Sequence, residues 1–155
     1  MLARGYACIA LLVSTCSASA GAAASPTPDR TQAYVALVHS YYARYETAKG
    51  DAYDFCVIGT DAPRCVERGS LMIGVWQSFL RDLDSTPAPS RFASDDAAFR
   101  AQLPKAIADL QRMVAAAQAG DHYPMVNAAG NYVGDMIPIV TDALHDVDPT
   151  WPKEN

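Results

Sequence analysis

The chain has 155 residues, half of them apolar, with 12 basic against 17 acidic side chains and a net charge of −5. That composition supports one hydrophobic core of ordinary domain size. With no cluster of Lys and Arg interleaved with aromatics, so acidic a surface repels phosphate backbones and excludes nucleic acid as a partner.

The first element is a leader. Arg4 gives a short positive start, Tyr6 to Val13 is apolar, and small residues follow. The apolar run is far below the roughly 20 residues a bilayer span requires, so it reads as a signal peptide. No later stretch approaches spanning length. Val13-Ser14-Thr15-Cys16 resembles the lipobox of bacterial lipoproteins. That resemblance covers the leader alone and implies lipidation of Cys16, which would become the mature N-terminus. The other reading is an A-x-A cleavage after Ala20 or Ala24, releasing a free exported protein. Residues 1–24 are thus signal peptide and small-residue leader, and 25–30 a flexible linker. Loss of Arg4 leaves 11 basic against 17 acidic residues, a charge of −6.

Export decides how Cys56 and Cys65 read. In an oxidising compartment the pair is expected to be a disulfide. The C-x8-C spacing fits no common zinc motif and is not the C-x-x-C of redox enzymes.

The first helix opens at Thr27-Pro28-Asp29, which offers a cap, a first-turn proline and an acid at the positive end. Tyr34, Leu37, Val38, Tyr41, Tyr42 and Tyr45 share one face. Gly50 offers a stop, but burial of Tyr53 and Phe55 favours continuation to Cys56. Gly59 to Pro63 is a turn in which Asp61 caps the second helix and Pro63 enters its first turn. Met72, Val75, Trp76, Phe79, Leu80 and Leu83 make the strongest apolar stripe in the chain. Gly69 and Gly74 weaken this helix locally, yet allow a neighbour to approach closely.

Pro87 and Pro89 mark an extended loop. Ser94-Asp95-Asp96 is read as the cap of a third helix carrying Phe99, Leu103, Ile107, Leu110, Val114 and Ala117, with Met113 beside them. Pro104 predicts a kink or a division, and Gly120 the end. Asp121 caps the fourth helix, with Pro124 in its first turn. Val126, Ala129, Val133, Met136, Ile137, Val140 and Leu144 form its stripe, and Pro138 predicts a second kink. Gly130 and Gly134 make a small-xxx-small face. No stretch alternates as a strand does. The expected fold is all-α: an up-down-up-down four-helix bundle over 31–148, with one disulfide stapling the first hairpin and a polar tail over 149–155.

Candidate chemistry is sparse. Asp142, His145 and Asp146 share a helix edge at i, i+3 and i+4, and with His122 they are the weak metal candidates. The bland reading is a solvated helix end, where a histidine near the negative pole is favoured. His39 falls off the first helix's stripe. Met72, Met113 and Met136 read as core fillers, while Met125 falls outside a stripe. No C-x-x-C-H site exists for covalent haem. Nucleophile elbow, zinc-protease, phosphate-loop and EF-hand patterns are missing, so no enzyme is expected and no catalytic residue is named. Asp82, Asp84, Asp95, Asp96 and Asp109 read as solvated. Tyr41, Tyr42 and Tyr45 suit an interface, with apolar bodies and polar tips. The expected function is a non-enzymatic, exported bundle of the bacterial envelope, periplasmic or at the cell surface. It binds an envelope protein or small ligand, needs no cofactor and meets the membrane only through a lipid on Cys16. A metal- or haem-binding bundle using His, Met and Asp is the alternative.

Overall fold

The structure, a computed structural model, describes residues 30–59 and 61–150, with the backbone alone over 135–141. The leader, Cys16, the linker, the Thr27-Pro28-Asp29 start and residues 151–155 lie outside the described residues. The described chain is a helical bundle without strands, built from α1 (Arg30–Lys49), a π-helix (Tyr53–Val57), α2 (Ala62–Ser85), a 3-10 turn (Ser90–Phe92), α3 (Ala93–Ala119) and α4 (His122–Val147). Among the described residues, no helix is long and apolar enough to cross a membrane.

On α1, Tyr34, Val38, Tyr41, Tyr45 and Ala48 are buried. Their alternating four-and-three spacing is one helical stripe. The stripe turns the tyrosine rings inward. Tyr41 stacks on Phe79 at 4.9 Å and Tyr45 on Trp76 at 4.7 Å between ring centroids. Phe79 continues to Phe99 of α3 at 5.3 Å. The core is therefore an aromatic layer crossing three helices.

Helix α1 does not continue unbroken to the cysteine. Gly50 sits at φ 46°, a left-handed conformation that ends the helix. The chain then resumes as the π-helix, where the Ile58 N–H donates to the Tyr53 carbonyl at 3.3 Å. The wider turn buries Cys56 and leaves Phe55 half-buried and Tyr53 exposed, against the expectation that Tyr53 would be covered. Cys56 is bonded to Cys65 in the first turn of α2, with their Cα atoms 5.0 Å apart. The staple joins the π-helix to α2. Asp61 caps α2 as expected, accepting from the Arg64 N–H at 3.1 Å.

Two glycines of α2 have opposite surroundings. A Cβ on Gly69 would come within 2.6 Å of Val114 Cγ2 and 2.7 Å of Met113 Cε, so α3 crosses there at close range. Gly74 faces open space.

Helix α3 runs through Pro104 without division, and its N-terminal neighbour is Phe92 rather than Ser94. The 3-10 turn supplies the entry, and Asp95 and Asp96 fall in the first turn, favourable for the helix dipole. Asp109, expected in solvent, is buried and pairs with Arg112. On α4 the buried face is Met125, Ala128, Ala129, Tyr132, Ala143, Leu144 and Val147. Ala129 and Leu144 of the expected stripe are buried, but the rest of the face is rotated by one residue: Met125 and Tyr132 are buried in place of the expected Val126 and Val133, and those two valines are only partly buried. Tyr132 explains the rotation, since its hydroxyl has partners only inside the bundle. Met125 is consequently a core residue. A Cβ on Gly130 or Gly134 would meet no heavy atom within 4 Å, so neither glycine makes a close helix contact among the described residues. The side chains of Met136, Ile137, Pro138 and Val140 lie outside the described residues.

Candidate functional site

Two regions carry more chemistry than a core requires. The first is the disulfide end. Trp76 donates its Nε1–H to the Tyr132 hydroxyl at 3.1 Å, and Tyr132 donates to the Tyr45 hydroxyl at 3.4 Å. This chain satisfies three polar groups that burial would otherwise penalise. Burial raises the Tyr132 pKa, so its hydroxyl stays neutral. Beside the chain lies a cavity of about 50 Å³ lined by Tyr45, Tyr53, Cys56, Met72, Met113 and Tyr132. The small side chains Ala52 and Ala129 leave that space between the π-helix and α4. Tyr53 lines this cavity and is 59% exposed; Ile58, at 56%, and Tyr123, at 80%, are further exposed hydrophobics of these segments. The π-helix packs against α4, which carries Tyr123 in its first turn. Short π-helical segments are concentrated at functional sites.

The second region joins α1 to the end of α4. His39 Nδ1 is bonded to Asp148 Oδ2, two residues 109 apart in sequence. The other Asp148 oxygen accepts from the Thr150 hydroxyl at 2.6 Å and its N–H at 3.1 Å. Burial pushes the Asp148 pKa up, but the hydrogen bonds from Thr150 and His39 outweigh it and hold the carboxyl below its ordinary value. A groove of about 440 Å³ runs past this cluster.

The residues singled out from sequence fall differently. Tyr41 and Tyr45 are buried and so do not form a partner surface; Tyr42 is half-buried. The Tyr41 hydroxyl donates to Asp82 at 2.6 Å and that of Tyr34 to Asp96 at 3.0 Å. Burial and then these carboxylates raise both phenol pKa values. Asp82 and Asp96 are thus partners of core tyrosines. Asp142 and Asp146 are exposed and His145 is half-buried. His122 and His145 stand at opposite ends of α4, about 35 Å apart at 1.5 Å per residue. Among the described residues, no three His, Cys, Asp or Glu side chains gather as a metal site would require. The stripe pattern does not mark Tyr53 and Tyr123 as surface residues, although Gly50 before one and Pro124 after the other are chain breaks that expose neighbours. The His39–Asp148 pair leaves no local signal.

Set against protein-family models, curated proteins and solved structures, the chain matches none.

Proposed function

We propose that this is an exported, non-enzymatic binding module of the bacterial cell envelope, whose disulfide end engages a protein or small apolar ligand. The carrying observation is the exposure of three large hydrophobics, Tyr53 on the π-helix, Ile58 just after it and Tyr123 on α4, the two helices being packed together. Exposed aromatics of this kind are enriched at interfaces, where ring area is gained for little conformational entropy. The four long helices are proposed to run up-down-up-down. The short connections and the packing of α1 on α2, α2 on α3 and α3 on α4 support that arrangement. The leader and its lipobox-like residues support export, with Cys16 as the anchor or with release after Ala20 or Ala24.

The test is photo-crosslinking in the native host, with a photoreactive residue at position 53 or 123 and a control at exposed Gln77 of α2. Discrete adducts from 53 and 123, absent from 77, are expected. Adducts from none of the three, or equally from all, would contradict the reading.

A further inference from the structure

The cavity beside the Trp76–Tyr132–Tyr45 chain has a size and a chemistry that narrow what it takes. Its volume is about 50 Å³. A dry apolar cavity that holds benzene measures about 150 Å³. The space is therefore too small for a ring and admits the end of a chain. Its wall asks for no polar partner. The Tyr132 hydroxyl is already engaged by Trp76 and Tyr45. Among the described residues, no buried side-chain nitrogen or oxygen lacks a hydrogen-bond partner. The charged lining group is Lys49, whose ammonium lies 3.0 Å from a Glu46 carboxylate oxygen. An anionic head would have to compete with that carboxylate, so an uncharged ligand fits better. Met72 and Met113 line the space with unbranched, polarisable side chains that adapt to a chain end. The wall runs from buried Cys56, Met72 and Met113 to half-buried Val57 and Val133 and exposed Tyr53. Its open side is thus apolar as well, and can cover further methylenes.

We propose that this cavity binds the end of an unbranched, uncharged alkyl chain, with the next few carbons lying against Val57, Val133 and the Tyr53 ring. The inference rests on the reading of the disulfide end as the binding end, and it names the class of ligand. Shape selects a chain over a ring, and the paired Lys49 leaves the head group in water.

The test follows the methionine methyl resonances of the oxidised mature protein by NMR during titration with 1-propanol to 1-hexanol. Met125, which does not line this cavity, is the internal control. Saturable shifts at Met72 and Met113 are expected, with affinity rising about fourfold per added methylene, the gain from burying one such group. Benzyl alcohol should produce no saturable shift. Ala129→Val, which adds two methyl groups to the buried wall, should weaken binding of every alcohol at least tenfold. Tyr53→Ser, at an exposed position, should leave 1-propanol unaffected and flatten the gain from longer chains. Equal shifts at Met125, affinity independent of chain length, benzyl alcohol bound as tightly as 1-hexanol, or wild-type affinities in both variants would overturn the proposal. Sodium hexanoate bound tenfold tighter than 1-hexanol would overturn the assignment to an uncharged chain. No binding of any alcohol, with crosslinks still formed from positions 53 and 123, would overturn this inference and leave the binding end standing. Loss of both would overturn the two together.

Discussion

At the scale of single residues, the structure depends on polar groups that find partners from distant helices. Asp148 is the clearest case, since His39 and Thr150 hold its charged form. A carboxyl whose folded pKa is depressed stabilises the protein above its unfolded value, near pH 4, and loses that contribution as pH falls through the folded value. Asp148→Asn should therefore cost about 1–3 kcal/mol at pH 7, read from urea unfolding, with the gap closing toward pH 2. A gap of equal size at both pH values would place the effect in packing instead. Tyr132→Phe removes the acceptor for the buried Trp76 N–H. Its expected cost is about 1–3 kcal/mol in the same measurement, the penalty of an unsatisfied donor. Neither pair is legible in the sequence. Hydrogen bonds spanning 109 and 56 positions leave no periodic trace. The same reason makes Tyr41 and Tyr45 look like surface residues in the sequence. A tyrosine reads as interfacial until a carboxylate such as Asp82 is seen to meet its hydroxyl.

Elements are more legible, in proportion to how apolar their stripes are. The α2 stripe and its Asp61 cap are readable because Met72, Val75, Trp76, Phe79 and Leu83 all lack strong polar demands, apart from one indole N–H. The face of α4 keeps Ala129 and Leu144 of the expected stripe but buries Tyr132 in place of Val133, because alanines dominate it and one tyrosine decides which side turns inward. The π-helix has no signature: Gly50 and the drive to bury Cys56 act together, and neither alone specifies a wide turn. Glycine substitutions test the α2–α3 crossing. Gly74→Ala should raise stability by up to about 1 kcal/mol through helix propensity. Gly69→Ala gains the same propensity but forces Val114, a stiff β-branched side chain, to give way. Its net effect should be a loss, since overpacking costs about 1–3 kcal/mol. Thermal unfolding of the two variants side by side measures the difference, and equal stabilisation by both would contradict the close crossing.

For the whole molecule, the leader, the disulfide and the exposed hydrophobics form one account. On the proposed reading the chain is exported to an oxidising compartment; in the structure Cys56–Cys65 pins the π-helix to α2, and Tyr53 and Ile58 lie on the outside. Replacing both cysteines with alanine should lower stability by about 2–3 kcal/mol on the loop-entropy account. It should also reduce crosslinking from position 53 more than from position 123, because only the former sits on the stapled segment. Comparing the two adduct yields on intact cells checks this, and equal loss at both sites would detach position 53 from the staple. The most direct measurement is the intact mass of the protein purified from its native host, before and after reduction. The account predicts a chain lacking its leader, beginning at a lipid-modified Cys16 or just after Ala20 or Ala24, whose mass rises by two hydrogen atoms on reduction. A chain that still begins at Met1, with no change on reduction, would contradict both the export and the staple.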